Sequence, residues 1–280
     1  MRYVRLKETR PNVDATHVPP PEYRVNCDDT LGEGPFEQRG TDDGFLMTGN
    51  YRPLATRNLV LLGGSFVESA YSHETDRFAS IIERDLTVDW QVLNGGYSGT
   101  NTLHMLPVVS VKIPTVMTPG SKLVIFIGQS DTTAMNQDSV YWANPKSMAP
   151  VLPATLTQYS PWPAEEAVVR TIEALLSVAD AYGFDYGVVA SPYRDADFDT
   201  DPVLRRLYRN DRNYYERATK QREFIQASAR SAALRRGRPF MNGQQSVEPT
   251  HFYDTMHLNK HGHAVFAAAF SDWLSSWIRR

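Results

Sequence analysis

Four short apolar runs punctuate the middle of the chain: NLVLLGG from Asn58, WQVLNGG from Trp90, KLVIFIG from Lys122 and YGVVAS from Tyr186. Each is rich in Val, Leu and Ile and is stopped by glycine or a polar turn. Continuous apolar runs of this length suit strands covered on both faces, as in a parallel sheet. Helical spacing appears over 76–86, 100–112, 164–182, 211–235 and 260–278. The last of these carries apolar Val265, Ala268, Ala269, Trp273 and Trp277. Strands alternating with helices predict an α/β fold, a doubly wound three-layer α/β/α sandwich with a mostly parallel sheet.

Residues 1–57 break this rhythm. They are rich in Pro, Gly, Asp and Asn, with short edge strands expected at 1–7 and 44–47. The segment reads as an irregular arm packed on a domain spanning 58–280. Two later stretches also resist the alternation. One, 132–163, holds Tyr141, Trp142, Tyr159 and Trp162 among prolines; the other, 191–208, mixes Asp with Arg. Both follow strands, and open α/β sheets bind ligands beyond the carboxyl ends of their strands. They are candidate substrate walls, with surface padding as the alternative.

Composition narrows the function classes. Among 280 residues, 41% are hydrophobic and 22% charged, enough apolar material for a core and against wholesale disorder. A net charge of −3 without long runs of either sign argues against nucleic acid or an anionic membrane as partner. The single cysteine, Cys27, excludes an intrachain disulfide and reads as a small buried hydrophobe in preference to a nucleophile. The first residues lack the apolar centre of a signal peptide, and no apolar run is long enough for a bilayer. A soluble, cytoplasmic protein is expected.

Candidate chemistry starts at the end of the first apolar run. Gly63 and Gly64 allow a sharp turn that presents Ser65 at the top of the sheet. Glycine-rich turns of this kind also bind phosphate, so GGS alone does not decide. Near the C-terminus, DTMHLNKHGH places Asp254 three residues before His257. Imidazole can take the serine proton, and a carboxylate on its far nitrogen fixes the tautomer. Backbone donors around Gly96 and Gly99 in NGGYSGTN, and Ser130 with Asp131 in IGQSD, stand at strand ends where an oxyanion could be met.

These blocks, GGSF at 63–66, NGGYSG at 94–99, GQSD at 128–131 and DTMH at 254–257, resemble in order and context those of the SGNH (GDSL-type) hydrolases. The resemblance runs from about Asn58 to the C-terminus. It implies a flavodoxin-like sandwich, Ser65 as nucleophile, His257 with Asp254 completing a triad, and Gly99 as a backbone oxyanion donor beside Ser65. Two positions depart from the family. The first block reads GGSF instead of GDSL, and Ser130 stands where the third block has Asn. A serine hydroxyl still donates one hydrogen bond, so Ser130 is expected in the hole as a shorter and more mobile donor.

The function expected is that of a serine esterase, deacylating a small or carbohydrate-like ester through an acyl-enzyme, with no cofactor. O-acyl transfer to a sugar or natural-product hydroxyl would use the same triad. A binding module with weakened catalysis is the alternative from another class, kept open by Ser130. Phe66, Tyr97, Tyr141 and Trp142 are candidate substrate contacts. His251, His257, His261 and His263 raise a metal site, but no acidic or cysteine ligand completes it and none is expected. His261 and His263 are expected to be partly exposed at the start of the last helix. Arg205, Arg206, Arg209 and Arg212 read as a solvated helix face.

Overall fold

The apolar runs pair side by side as parallel strands, because their uninterrupted Val, Leu and Ile leave no face for water. A computed structural model describes residues 3–136, 141, 151–152 and 162–278. In chain order its strands are β1 (Tyr3–Val4), β2 (Asp14–His17), β3 (Phe36–Arg39), β4 (Arg57–Gly63), β5 (Trp90–Gly96), β6 (Lys122–Ile127), β7 (Val151–Leu152), β8 (Tyr186–Ala190) and β9 (Phe240–Asn242). The helices are α1 (Pro21–Arg24), α2 (Ser65–Glu68), α3 (Phe78–Asp85), α4 (Thr102–Val111), α5 (Ile113–Val116), α6 (Gln129–Met135), α7 (Ala164–Ala181), α8 (Pro202–Leu207), α9 (Arg212–Arg235) and α10 (Lys260–Ile278).

The central sheet has the order β5-β4-β6-β8-β9, all parallel. Ranked by position in the chain this is 2-1-3-4-5, the doubly wound flavodoxin-like order. Strand side chains alternate between two cores. Val60, Leu62, Ile125, Ile127 and Val188 pack with α4, α7 and α9 on one face. Leu61, Val124, Phe126 and Val189 pack with α3 and α10 on the other, where Phe266, Phe270 and Leu274 recur every fourth residue. The fold is therefore an α/β/α sandwich with helices on both faces of a parallel sheet.

Caps set the helix starts. Asn101 Oδ1 accepts from His104 N at 3.1 Å to open α4, and Asp211 Oδ1 from Tyr214 N at 3.1 Å to open α9. The fifth strand, β9, escaped the apolar pattern because it is three residues long and half exposed at its ends. The segment 44–47 forms single bridges from Leu46 to Gly40 and Asn94 instead of a strand. At the N-terminus, β1 pairs with β7 and not with the central sheet. A second pairing absent from the sequence pattern joins β2 and β3 of the arm.

The stretch 132–163 begins inside α6, and most of the rest lies outside the described residues. In 191–208, Phe198, Leu204 and Tyr208 pack with Tyr215 of α9 in a satellite cluster. Arg194 is held there between Asp28 (2.6 Å) and Asp201 (2.7 Å). The aromatic residues of this segment turn inward, whereas Ser191 and Pro192 at its start border a small depression beside Ser65. Of the basic cluster, Arg206 donates to Cys27 O and Arg212 pairs with Asp199.

His263 departs from its expected exposure. It is 1% exposed, with Nε2 on Ser72 Oγ at 2.9 Å and Nδ1 accepting from Phe78 N at 3.3 Å. Burial, followed by the charges of Arg77 and His257, lowers its pKa to about 3. Its ring serves as a neutral tie between α10 and α3.

Helix α2, which begins at Ser65, is seated by close backbone approach. A side chain at Gly96 would run into Glu68 N and come within 2.6 Å of Val67 C. Asn94 Nδ2 also donates to Val67 O at 2.8 Å. Gly96→Ala should therefore push α2 off β5 and destabilise the protein by about 1–3 kcal/mol. A urea midpoint equal to wild type would contradict this seating.

Candidate active site

Strand β4 ends at Gly63, and Ser65 is the first residue of the single-turn α2. A Cβ at Gly63 would meet Val67 Cγ2 at 2.6 Å and Phe126 Cβ at 2.9 Å, so the strand must end in glycine for the turn to fold back. The C-terminal loop brings its imidazole to this point. His257 Nε2 lies 2.8 Å from Ser65 Oγ, and His257 Nδ1 lies 2.6 Å from Asp254 Oδ2. The sequence-predicted trio Ser65, His257 and Asp254 thus converges, in a relay that can withdraw the serine proton.

The carboxylate is 6% exposed and fully engaged. Asp254 Oδ1 accepts from Met256 N at 2.8 Å and His257 N at 2.7 Å. Its Oδ2 accepts from His257 Nδ1 and also from Tyr23 Oη at 2.8 Å. Desolvation raises the carboxyl pKa, but the His257 charge and these hydrogen bonds outweigh it and hold it below the ordinary range. In His257, burial lowers the pKa, while the charge and hydrogen bond of Asp254 raise it further, leaving it above the usual imidazole value. The Tyr253 ring stacks on the imidazole at 5.7 Å and 15°.

Tyr23 was not visible in the sequence as a site residue. It comes from the arm, 231 positions before Asp254, and nothing in PPPEYRV marks it. The arm also lines the main cavity beside Ser65 and His257, a space of about 670 Å³ reached by Lys7, His17, Tyr23 and Gln38. Glu68, one turn after Ser65, faces the same cavity and accepts from Gln38 Nε2 at 3.2 Å and from Ser98 Oγ.

On the other side of Ser65 is a small depression lined by Gly64, Thr100, Gly128, Ser130 and Ser191. A Cβ at Gly64 would stand 3.7 Å from Ser130 Oγ. Among the described residues the Ser130 hydroxyl makes no hydrogen bond of its own. Gly99, at φ +70°, lies in the loop from β5 to α4, against Lys7 Nζ. The next residue of the GQSD block has a supporting task. Asp131 Oδ1 accepts from Thr102 N at 3.0 Å, tying the start of α4 to α6.

The expected substrate contacts divide. Tyr97 lines the main cavity. Phe66 is turned about 100° around α2 from Ser65 and sits in the core. Its ring lies 5.1–6.1 Å from those of Phe78, Phe126 and Phe266, so it forms a floor to the small depression and not a cavity wall. Tyr141 is 2% exposed and donates to the buried Asp131 carboxylate at 2.7 Å, which takes it out of the cavity lining. Trp142 lies outside the described residues.

The other histidines are engaged separately. His251 Nδ1 accepts from Glu248 N at 2.9 Å, and His261 is exposed beside it. Among the described residues no three His, Cys, Asp or Glu side chains converge as metal ligands. Burial, followed by the charge of Asp254, pushes the Cys27 thiol up to about 12, so it stays protonated and unreactive.

No protein-family model and no curated protein sequence matches the chain. Solved structures do match in fold. One is LAE5, an alpha/beta hydrolase enzyme from the metagenome of Lake Arreo, Spain, 15% identical over 79% of this chain and 96% of that one, with a TM-score of 0.53. Another is Est24, a carbohydrate acetylesterase from Sinorhizobium meliloti, 12% identical over 79% and 99%, TM-score 0.51. A third is the aryl esterase of M. smegmatis, 12% identical over 79% and 99%, TM-score 0.53. At these identities the likeness establishes the shared architecture. Among the described residues no helix is long and apolar enough to cross a membrane.

The relay makes a spectroscopic prediction. The His257 imidazole should titrate above about 6.5 in the wild type. In Asp254→Asn the charge that outweighs burial is gone, only the weaker pull of Glu68 still opposes it, and the value should fall. An NMR titration of the ring protons checks this, and an unchanged value would detach Asp254 from the imidazole.

Proposed function

We propose that this chain is a serine esterase of the SGNH kind, deacylating a small or carbohydrate-like ester. The observation that carries the reading is the continuous path from Ser65 Oγ through His257 to Asp254, at 2.8 and 2.6 Å. Fold neighbours that include a carbohydrate acetylesterase and an aryl esterase favour the same class.

In this mechanism neutral His257 accepts the Ser65 proton as Oγ attacks the ester carbonyl. Asp254 stabilises the imidazolium that forms, and Tyr23 with two backbone amides keeps that carboxylate ionised and oriented. The carbonyl oxygen turns negative between the backbone N–H groups of Ser65 and Gly99 and the Ser130 hydroxyl. His257 then returns the proton to the leaving alcohol. Water, deprotonated by the same imidazole, attacks the acyl-Ser65 and releases the acid. The uncommitted Ser130 hydroxyl is what allows it to stand in for the amide of the family's third block.

Ser65→Ala should lower ester turnover by at least about 10⁴-fold while the fold persists, and only the wild type should take up an organophosphonate stoichiometrically. An acetyl-to-long-chain ester panel gives the rates and mass spectrometry the adduct. Near-normal turnover in Ser65→Ala would sink the assignment.

Ser130→Ala should lower kcat about a hundredfold with little change in KM, because its bond strengthens mainly in the transition state. Steady-state kinetics on the best ester decide it. A wild-type kcat would remove Ser130 from the hole.

A further inference from the structure

The main cavity has an electrostatic feature that the triad does not use. Lys7 is 4% exposed, yet its Nζ has a single hydrogen-bond partner among the described residues, Ser98 O at 3.0 Å. Among the described residues no carboxylate pairs with it, whereas the similarly buried Lys112 is paired with Glu8 at 2.8 Å. The buried Arg77 also has no ion pair among the described residues, but its Nε and Nη2 donate to the backbone carbonyls of Ser72 and Glu37, within the protein. Lys7 instead borders the cavity that holds Ser65 and His257, and its Nζ lies against Gly99.

Two more cationic side chains, Arg5 and Arg10, line the same cavity, with His17 on the β2 strand of the arm. Glu68 is the acidic residue among the lining side chains, and its oxygens already accept from Gln38 and Ser98. Burial, followed by repulsion from Arg5, lowers the Lys7 pKa to about 8, with Glu68 partly opposing. An ammonium held in this way is short of a counter-charge. Such a charge can reach it through the opening by which a substrate enters.

We propose that this end of the cavity is an anion subsite, in which Lys7, with Arg5 and Arg10, receives a carboxylate, sulfate or phosphate carried by the alcohol part of the ester. Resting on the esterase reading of Ser65, it narrows the substrate class to acylated acidic sugars or comparably anionic alcohols. The subsite belongs wholly to the arm, whereas the nucleophile and base belong to the sandwich. Specificity and chemistry are thus supplied by different parts of the chain.

The test compares acetyl esters of methyl glucuronoside and of glucose 6-phosphate with that of neutral methyl glucoside. The ratio of kcat/KM, anionic over neutral, should be about tenfold or more in the wild type, the size expected of one charge-assisted hydrogen bond. It should fall toward one in Lys7→Met, which keeps the side-chain length, and fall partway in Arg10→Gln, an exposed position that leaves folding untouched. The larger of the two anionic ratios identifies the preferred group. A wild-type ratio near one, or a ratio that survives in both variants, overturns the subsite.

Calorimetric titration of methyl glucuronoside and glucose 6-phosphate into wild type and Lys7→Met separates this from the catalytic reading. Binding that weakens about tenfold in Lys7→Met supports the subsite even if no ester is cleaved, whereas absence of binding overturns it even if esters are.

Discussion

A buried carboxylate has to be surrounded by donors or it will not stay ionised, and Asp254 is where this chain meets that demand. Removing such a charge from water costs several kcal/mol, which only good geometry repays. Four donors converge on its two oxygens: two backbone amides of its own turn, the imidazole of His257 and the hydroxyl of Tyr23. Satisfying the carboxylate therefore also orients the imidazole toward Ser65 and docks the arm on the sandwich. The cavity exists because that docking leaves a space between Lys7, Tyr97 and Tyr253.

The sandwich supplies the other half of the geometry. Its parallel strands deliver Ser65, Gly99 and Ser130 to one edge, and close packing holds them there. Gly63 and Gly96 admit α2 against the sheet, Asn94 grips it, and Asp131 ties the start of α4 to α6. These constraints are close backbone packing and hydrogen bonds from buried side chains to backbone, so the positions of these groups rest on the interior of the fold.

Much of this was legible in the sequence because it depends on local pattern. Unbroken apolar runs announced four of the five central strands, and small residues at their ends announced the edge where Ser65 stands. Asp254 and His257 could be paired because three residues separate them. What the sequence did not reveal depends on distant contacts. Strand β9 is too short to form a pattern. Tyr23 meets its carboxylate only through the tertiary fold, and Lys7 looks like any charged residue of an irregular segment. Phe66 and Tyr141 show how far aromatic character alone can place a residue. Their aromatic character suited a substrate; Phe66 lies mainly in the core and only floors the small depression beside Ser65, while Tyr141 is taken up by Asp131.

The separation of the relay along the chain has a consequence for biosynthesis. Ser65 waits for a base 192 positions downstream, and Tyr23 for a carboxylate still farther away. Contacts of such long range form late, since loop-closure entropy must be met before they contribute. During translation, the sandwich strands through β8 can emerge and pair while the serine remains an ordinary alcohol. Ser65 meets the imidazole only when the loop carrying His257 has been made and packed.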